Sequence, residues 1–220
     1  MQLKIILTGA TGFVGEGVLM ECLSHPDIKE VLMVNRKHFD LEHPKLKELI
    51  LPDFMQTEAF SGRLTGYDAC FYCAGISSVG LNEAAYSYIT HDITIHFAKQ
   101  LLALNPDMIF NFISGSHTDS SEKGKVMWAR VKGRTENALV ALPFKKEYNF
   151  RPGFMKPTPG QKNVKRLYRI IGKLYPVLRV VFPDNVSRMQ EVGLAMINAL
   201  TKGYPKQILE VTDIKALAKS

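Results

Sequence analysis

The sequence predicts an α/β protein built on a doubly wound parallel sheet, and three observations carry that expectation. Residues 3–15, LKIILTGATGFVG, run from an apolar strand straight into Gly9, Gly12 and Gly15, after which Phe13 to Cys22 continues at helical spacing. Further apolar runs of strand length alternate with amphipathic stretches, the pattern of a parallel sheet covered on both faces. The 220 residues, 46% of them hydrophobic, suffice for one full core and are too few for two ordinary domains.

Taken in order, the first strand is Leu3 to Thr8 and the helix from Phe13 follows. Strands are then expected at Glu30 to Asn35, Leu46 to Leu51 and Tyr67 to Ala74. A long helix spans about Asn82 to Leu104, followed by the strand Met108 to Ser114, a helix from about Val126 to Leu142, and the strand Glu147 to Arg151. Residues 151–161, RPGFMKPTPGQ, form the most loop-like stretch and open a smaller part, residues 152–220, of the same single domain. That part offers a basic amphipathic helix around Val164 to Leu174, a helix near Ser187 to Leu200 and a short strand-helix ending. Pro176 and Pro183 break any long helix in YPVLRVVFP. This smaller part is expected to act as a flap on the substrate side of the cleft.

In such a sheet ligands lie at the carboxyl ends of the strands, which singles out Gly9, Asn35, Leu51, Ala74, Ser114 and Arg151. Gly9 permits the sharp turn off the first strand, Gly12 lets backbone approach a pyrophosphate, and Gly15 lets helix pack on strand. Thr8, Thr11, Phe13 and Val14 complete this diphosphate cradle, the first element of a Rossmann fold. An acidic residue about 20 positions after the glycines normally takes the adenine ribose and selects NAD. Here Asn35, Arg36 and Lys37 stand instead, so a ribose 2′-phosphate, and hence NADP ahead of NAD, is expected. The plainer reading of Arg36 and Lys37 is solvated loop charge. Asp53, in LPDF, is placed to meet the adenine edge, although Pro-Asp is also a common turn.

Composition narrows the partners. The net charge of +7 is spread along the chain and no nucleic-acid-binding motif accompanies it, so nucleic acid is not an expected partner. The dense cluster at Lys162 to Lys173 reads as a helix with solvated charges in preference to a membrane surface. No apolar run approaches the roughly 20 residues that cross a bilayer, and the chain opens on a core strand instead of a leader. Three cysteines fit a reducing compartment, and the expected location is cytoplasmic. Cys70 and Cys73 form a CxxC inside a strand-like run, where positions three apart face opposite ways, so buried packing is expected and no metal.

Five motifs together resemble the short-chain dehydrogenase/reductase superfamily, in its extended and atypical branch of NAD(P)-dependent epimerase/dehydratase-like proteins. They are TGATGFVG at Thr8 to Gly15, CAG at Cys73 to Gly75, FISGS at Phe112 to Ser116, WARVKG at Trp128 to Gly133 and RPG at Arg151 to Gly153. The resemblance adds Cys73, Ala74, Gly75, Arg151, Pro152 and Gly153 to the expected cofactor contacts. It also implies a Tyr-x-x-x-Lys pair, the Tyr acting as acid or base and the Lys holding the nicotinamide ribose, with a Ser or Thr at the fifth strand's end. Lys132 matches the Lys, while the Tyr position is Trp128. An indole N–H only donates and does not titrate usefully, so Trp128 cannot move a proton. Ser114 and Ser116 both compete for the hydroxyl position, and Gly115 competes with them. His117 is a candidate acid; Tyr86, Tyr88, His91 and Asp92 are candidates to line the site, their plainer reading being a helix start with core aromatics, and the flap residues Tyr168 and Tyr175 rank lower.

The function expected is that of an NADP-dependent oxidoreductase or epimerase-like enzyme acting on a small carbonyl or hydroxyl substrate. Lys132 would hold the ribose, and the proton would come from water or His117. The alternative is a catalytically silent NADP(H) sensor or interaction module, which Trp128 motivates, and a lipid-surface protein ranks third. The resemblance also allows a homodimer through the helices after the fourth and fifth strands.

Overall fold

The computed structural model describes residues 2–164, 168 and 172–220. Strand β1 (Leu3–Thr8) has Ile5, Ile6 and Leu7 fully buried, which is why it reads as an unbroken apolar run and not an alternating one. Helix α1 (Phe13–Ser24) leads to β2 (Ile28–Asn35) and β3 (Leu46–Ile50). After the short α2 (Ser61–Leu64) come β4 (Ala69–Tyr72), α3 (Glu83–Ser87) and α4 (Ile93–Leu104), then β5 (Ile109–Ile113), α5 (Met127–Val140) and β6 (Lys146–Phe150). Strand β7 (Phe154–Lys156) pairs in parallel with β8 (Val186–Arg188) as a separate ribbon. Helix α6 (Tyr175–Val181) precedes that second strand, and α7 (Met189–Thr201), β9 (Ile208–Leu209) and α8 (Val211–Ala218) follow it.

The main sheet has seven parallel strands in the order β3-β2-β1-β4-β5-β6-β9. Its order reverses between β1 and β4, where Thr8 is registered with Val34 on one side and Tyr72 on the other. Period-two alternation splits the strand residues between two cores. Ile5, Leu7, Val31, Met33 and Phe71 join α1, α7 and α8 on one face, whereas Ile6, Leu32, Val34, Cys70 and Tyr72 join α4 on the other. Cys70 and Cys73 fall on opposite faces accordingly.

Most predicted elements stand within two residues of their expected ends. The strand expected from Tyr67 to Ala74 is shorter, because the Ala74 amide leaves the ladder to donate to Thr8 Oγ1 at 3.1 Å. The long helix expected from Asn82 to Leu104 is interrupted by a π-helical turn at Tyr88–Asp92. Pro176 sits in the first turn of α6, where a missing N–H costs nothing, and Pro183 follows its end.

The C-terminal part is more than a flap. It supplies β9 to the main sheet, and α7 and α8 to the layer over the β1 face. Helix α7 lies close on α1 because two glycines make room: a Cβ at Gly17 would come 2.1 Å from Met189 Cγ, and one at Gly193 2.6 Å from Glu21 Cγ. Among its described residues, Pro152, Gly153, Phe154, Met155 and Tyr168 line the cleft, and the segment that follows β7 is tied to the first turn of α1. Glu16 accepts from the amides of Lys162 and Asn163, each at 2.7 Å, and Gln161 donates to the Phe13 carbonyl at 2.8 Å. The basic helix expected at Val164 to Leu174 lies largely outside the described residues.

Arg151, expected at the cofactor, is turned away from it. Its guanidinium meets the fully buried Glu136 at 3.0 and 2.5 Å, Glu210 at 3.1 Å and Ser120 at 2.6 Å, clamping α5 to β6. Two residues apart on one strand face the same way, so Glu147 and Asn149 extend this polar stripe into the interior. Burial, reinforced by the Glu136 carboxylate and opposed by the Asn149 amide, pushes the Glu147 carboxyl up to about 9. Glu147 is thus protonated in the folded chain and ionised in the unfolded chain across the pH range from ordinary carboxylate values to about 9, and stability falls as pH rises through that window. Glu147→Gln is expected to remove this slope, unfolding at a higher temperature than wild type at pH 8 but not at pH 4, as calorimetry at both pH values would show.

Candidate functional site

The site begins where β1 turns into α1. Gly9 adopts φ +73°, and a Cβ there would lie 2.7 Å from the backbone of Cys73 and Ala74, so only glycine fits. Gly15 faces Gly9 across the turn, where a Cβ would come 2.1 Å from its carbonyl oxygen. Gly12 caps α1 with no side-chain bond, and Glu16 N is the first amide to return into the helix, to Gly12 O at 2.9 Å. The amides of Phe13, Val14 and Gly15 therefore open the helix without intrahelical partners, at the positive end of its dipole.

From this turn a trough runs both ways along the strand ends, in three hollows that share Ala74 and Gly75. The central hollow, about 710 Å³, is lined by Gly9, Thr11, Gly12, Asn35, Arg36, Lys37 and Cys73. Asn35 is 3% exposed, and neither polar atom of its amide has a hydrogen-bond partner among the described residues. A buried amide left open beside a glycine cradle fits a polar guest such as a nucleotide. The outer hollow, about 300 Å³, holds Arg36, Pro52, Asp53 and Tyr72, with Tyr88 and Ile89 from the π turn. Asp53 both lines it and closes a turn, accepting from Met55 N at 2.9 Å and Gln56 Nε2 at 3.2 Å.

The inner hollow, about 660 Å³, brings together Gly12, Phe13, Val14, Ser114, Gly115, Ser116, Trp128, Lys132, Pro152 and Gly153. Trp128 and Lys132 sit one turn apart on α5 and present themselves to Gly115, whose added Cβ would lie 3.9 Å from Trp128 Cζ3 and 4.0 Å from Lys132 Nζ. The Lys132 ammonium donates to the Ser114 carbonyl at 2.7 Å. Burial pulls it down to about 8, with the Glu136 carboxylate opposing the change. Ser114 is buried, and its hydroxyl is paired with Thr118 Oγ1 at 3.0 Å, whereas Ser116 is half-buried in the wall. Tyr168 closes the far side, its ring 4.6 Å from that of Phe13 and 5.4 Å from that of Phe154.

Several expected contacts are placed elsewhere. His117 is exposed, in a left-handed conformation at φ +66°, and is not part of the wall. Thr8 is fully buried, and its hydroxyl is spent on Ala74 N, so it shapes the turn from behind. Gly15 likewise serves packing. Tyr86 and Tyr175 are buried away from the inner hollow. Burial raises the Cys70 and Cys73 thiols, so neither is a ready thiolate, and no metal-holding group occurs among the described residues. Missed from sequence were Phe154, Met155 and Ile76 in the inner wall, and the π turn that brings Ile89 to the outer hollow. The phenylalanine had a signal in its place directly after RPG, but the π turn had none.

A glycine turn at the switch point of a parallel sheet, with a lysine facing it across the trough, defines the class of nicotinamide-dinucleotide-binding α/β proteins. The chain belongs to the NAD dependent epimerase/dehydratase family, whose model matches residues 5–117. It is similar to the protein fmp52, mitochondrial, of Emericella nidulans, at 23% identity over 221 residues covering 93% of this chain and 90% of that one. A second protein of that name, from Aspergillus clavatus, is 22% identical over 191 residues, covering 80% and 79%. Both relatives are named mitochondrial, which does not accord with the cytoplasmic location expected here. Among solved structures, WbmF of Bordetella bronchiseptica in complex with NAD+ superposes with TM-score 0.67 at 13% identity, covering 99% of this chain and 77% of that one. The ADP-L-glycero-D-manno-heptose-6-epimerase of Helicobacter pylori gives 0.68 at 13% identity, covering 99% and 81%. A short chain dehydrogenase family protein of Francisella tularensis gives 0.65 at 16% identity, covering 92% and 93%. These likenesses show the fold. No helix among the described residues is long and apolar enough to cross a membrane.

Gly9→Ala is expected to force backbone apart at both strand ends, costing about 1–3 kcal/mol in urea unfolding and weakening dinucleotide binding with it.

Proposed function

We propose that this chain is an NADP(H)-dependent oxidoreductase or epimerase-like enzyme acting on a small carbonyl or hydroxyl compound. The observation that carries the reading is the trough itself, continuous from Arg36 and Lys37 through the glycine turn to Lys132. At its outer end Asn35 replaces the acidic residue that would repel a 2′-phosphate, and the Arg36 guanidinium offers a planar fork for one. The amides opening α1 receive the diphosphate, and the Asn35 amide gains a partner that none of the described residues supplies.

When bound, the nicotinamide supplies the hydride or takes it. The protein's part is to place the reacting carbon between Lys132, Trp128 and Ser116. The Lys132 ammonium, already fixed on the Ser114 carbonyl, retains donors for the ribose hydroxyls. Trp128 offers one N–H to orient a carbonyl and cannot exchange a proton, so that proton passes to and from water at the Ser116 end of the wall. A small substrate is favoured because the inner hollow, about 660 Å³, must also take the nicotinamide end of the cofactor. The three free thiols support a reducing compartment.

A second reading, a silent NADP(H) sensor, is favoured by the same Trp128. Two measurements decide. Trp128 is the only tryptophan, so its fluorescence should quench on titration with NADPH at concentrations at least tenfold below those needed for NADH. Arg36→Ala should remove most of that preference, and equal affinities in the wild-type protein would end the NADP assignment. Turnover is then assayed with NADPH and a panel of small aldehydes and ketones. The enzyme reading requires activity in the wild-type chain, raised by Trp128→Tyr, whereas tight NADPH binding with activity only in the variant establishes the sensor.

A further inference from the structure

The trough leaves one surface of the molecule unused. Leu174, Val177, Val180, Val181 and Phe182 fall within nine consecutive residues and are 55, 61, 76, 58 and 54% exposed. Leu174, Val177 and Val181 recur at spacings of three and four, with Val180 beside them, so helix α6 turns an apolar stripe to water. Its buried face is carried by Tyr175, over which the ammonium of Lys156 stands at 5.5 Å and the guanidinium of Arg188 at 5.9 Å. Helices on a domain surface normally turn their apolar residues inward, and α6 instead leaves three valines in water beside its exposed Arg179.

Beside the stripe lies a hollow of about 360 Å³ lined by Tyr175 and four cations, Arg179, Arg188, Lys215 and Lys219, against one carboxylate, Glu191. That carboxylate is committed to capping α7, where it accepts from Arg188 N at 2.7 Å. Among the described residues no ion pair engages the four cations.

We propose that α6, with Leu174 and Phe182, is a wedge that enters the interface of an anionic lipid bilayer, while the four cations beside it hold headgroup phosphates. A bilayer surface is the occupant that uses both features at once. A soluble anion would satisfy the cations and leave the stripe in water, and an apolar protein ridge would cover the stripe and strand the cations. A second copy of the chain is disfavoured by area. The exposed patch amounts to a few hundred Å², below the roughly 800 Å² per partner of a stable interface. The depth also suits a surface contact: a seven-residue helix of roughly 10 Å lies flat in the headgroup boundary and spans nothing.

The test uses the full chain and sucrose-loaded vesicles of phosphatidylcholine, alone or mixed with phosphatidylserine. The chain is expected to pellet with the mixed vesicles and not the neutral ones, and to be released by added salt. Val177→Asp with Val180→Asp should lower the partition coefficient at least tenfold, and Arg179→Gln with Lys219→Gln roughly fivefold per charge removed. Thermal unfolding followed by circular dichroism checks that both variants keep the wild-type fold. No pelleting with mixed vesicles, or equal pelleting of folded variants and wild type, overturns the proposal. So does a wild-type dimer in sedimentation velocity that Val180→Asp splits and that no vesicle captures.

Discussion

The backbone of Gly9 lies so close to that of Cys73 and Ala74 that a single methyl group would come within 2.7 Å of both, and the trough exists because of that contact. It joins the ends of β1 and β4 where the strand order reverses, and the Thr8 hydroxyl bonded to the Ala74 amide holds the join. With these two ends together, α1 must leave at a fixed angle, Gly15 must pass beneath the Gly9 carbonyl, and the first amides of the helix are aimed into one cleft. The same contact makes Ala74 and Gly75 the shared floor of all three hollows. Distances along the cleft are thus set by backbone packing, and side chains decorate a geometry already made.

A second constraint supports the other wall. Trp128, Lys132 and Glu136 follow one another at four-residue steps, so α5 carries a donor, a cation and a buried carboxylate along a single face. Glu136 favours the charge on Lys132, and Arg151 in turn holds the fully buried Glu136 carboxylate through two hydrogen bonds. Arg151 therefore acts on the cleft at one remove, by holding the acid that holds the lysine charged. This accounts for its place directly after β6, at the strand end where a ligand contact would otherwise be sought.

Much of the fold was legible because buried parallel strands are unbroken apolar runs, and because a glycine turn between strand and helix has few alternatives. β1 was read to the residue, and the glycines, Asn35 to Lys37, Trp128 and Lys132 all line or shape the trough. Directions of single side chains at strand ends were not legible. Arg151 and Thr8 lie where a motif predicts a ligand contact, yet partners brought by tertiary packing, Glu136 and the Ala74 amide, claim them. His117 is turned outward by one positive φ, which its neighbours do not announce. The helix near Ser187 to Leu200 and the short strand-helix ending were read in place, but a helical pattern does not say what its apolar face will cover, so a layer of the core was taken for a flap. The π turn leaves no mark in composition, since it changes hydrogen-bond spacing without changing residue preference.

The close seating of α7 on α1 has a consequence for how the chain folds. Val18, Leu19 and Cys22 of the first helix share a core with Met189, Val192 and Met196, which lie about 170 residues further along the chain. Without those residues the back of α1 is bare, whereas the core on the opposite face of the sheet, from Ile6 to Leu139, needs none of them. The helix of the glycine turn is thus backed only through contacts of high sequence separation, the kind that cost most loop entropy to form.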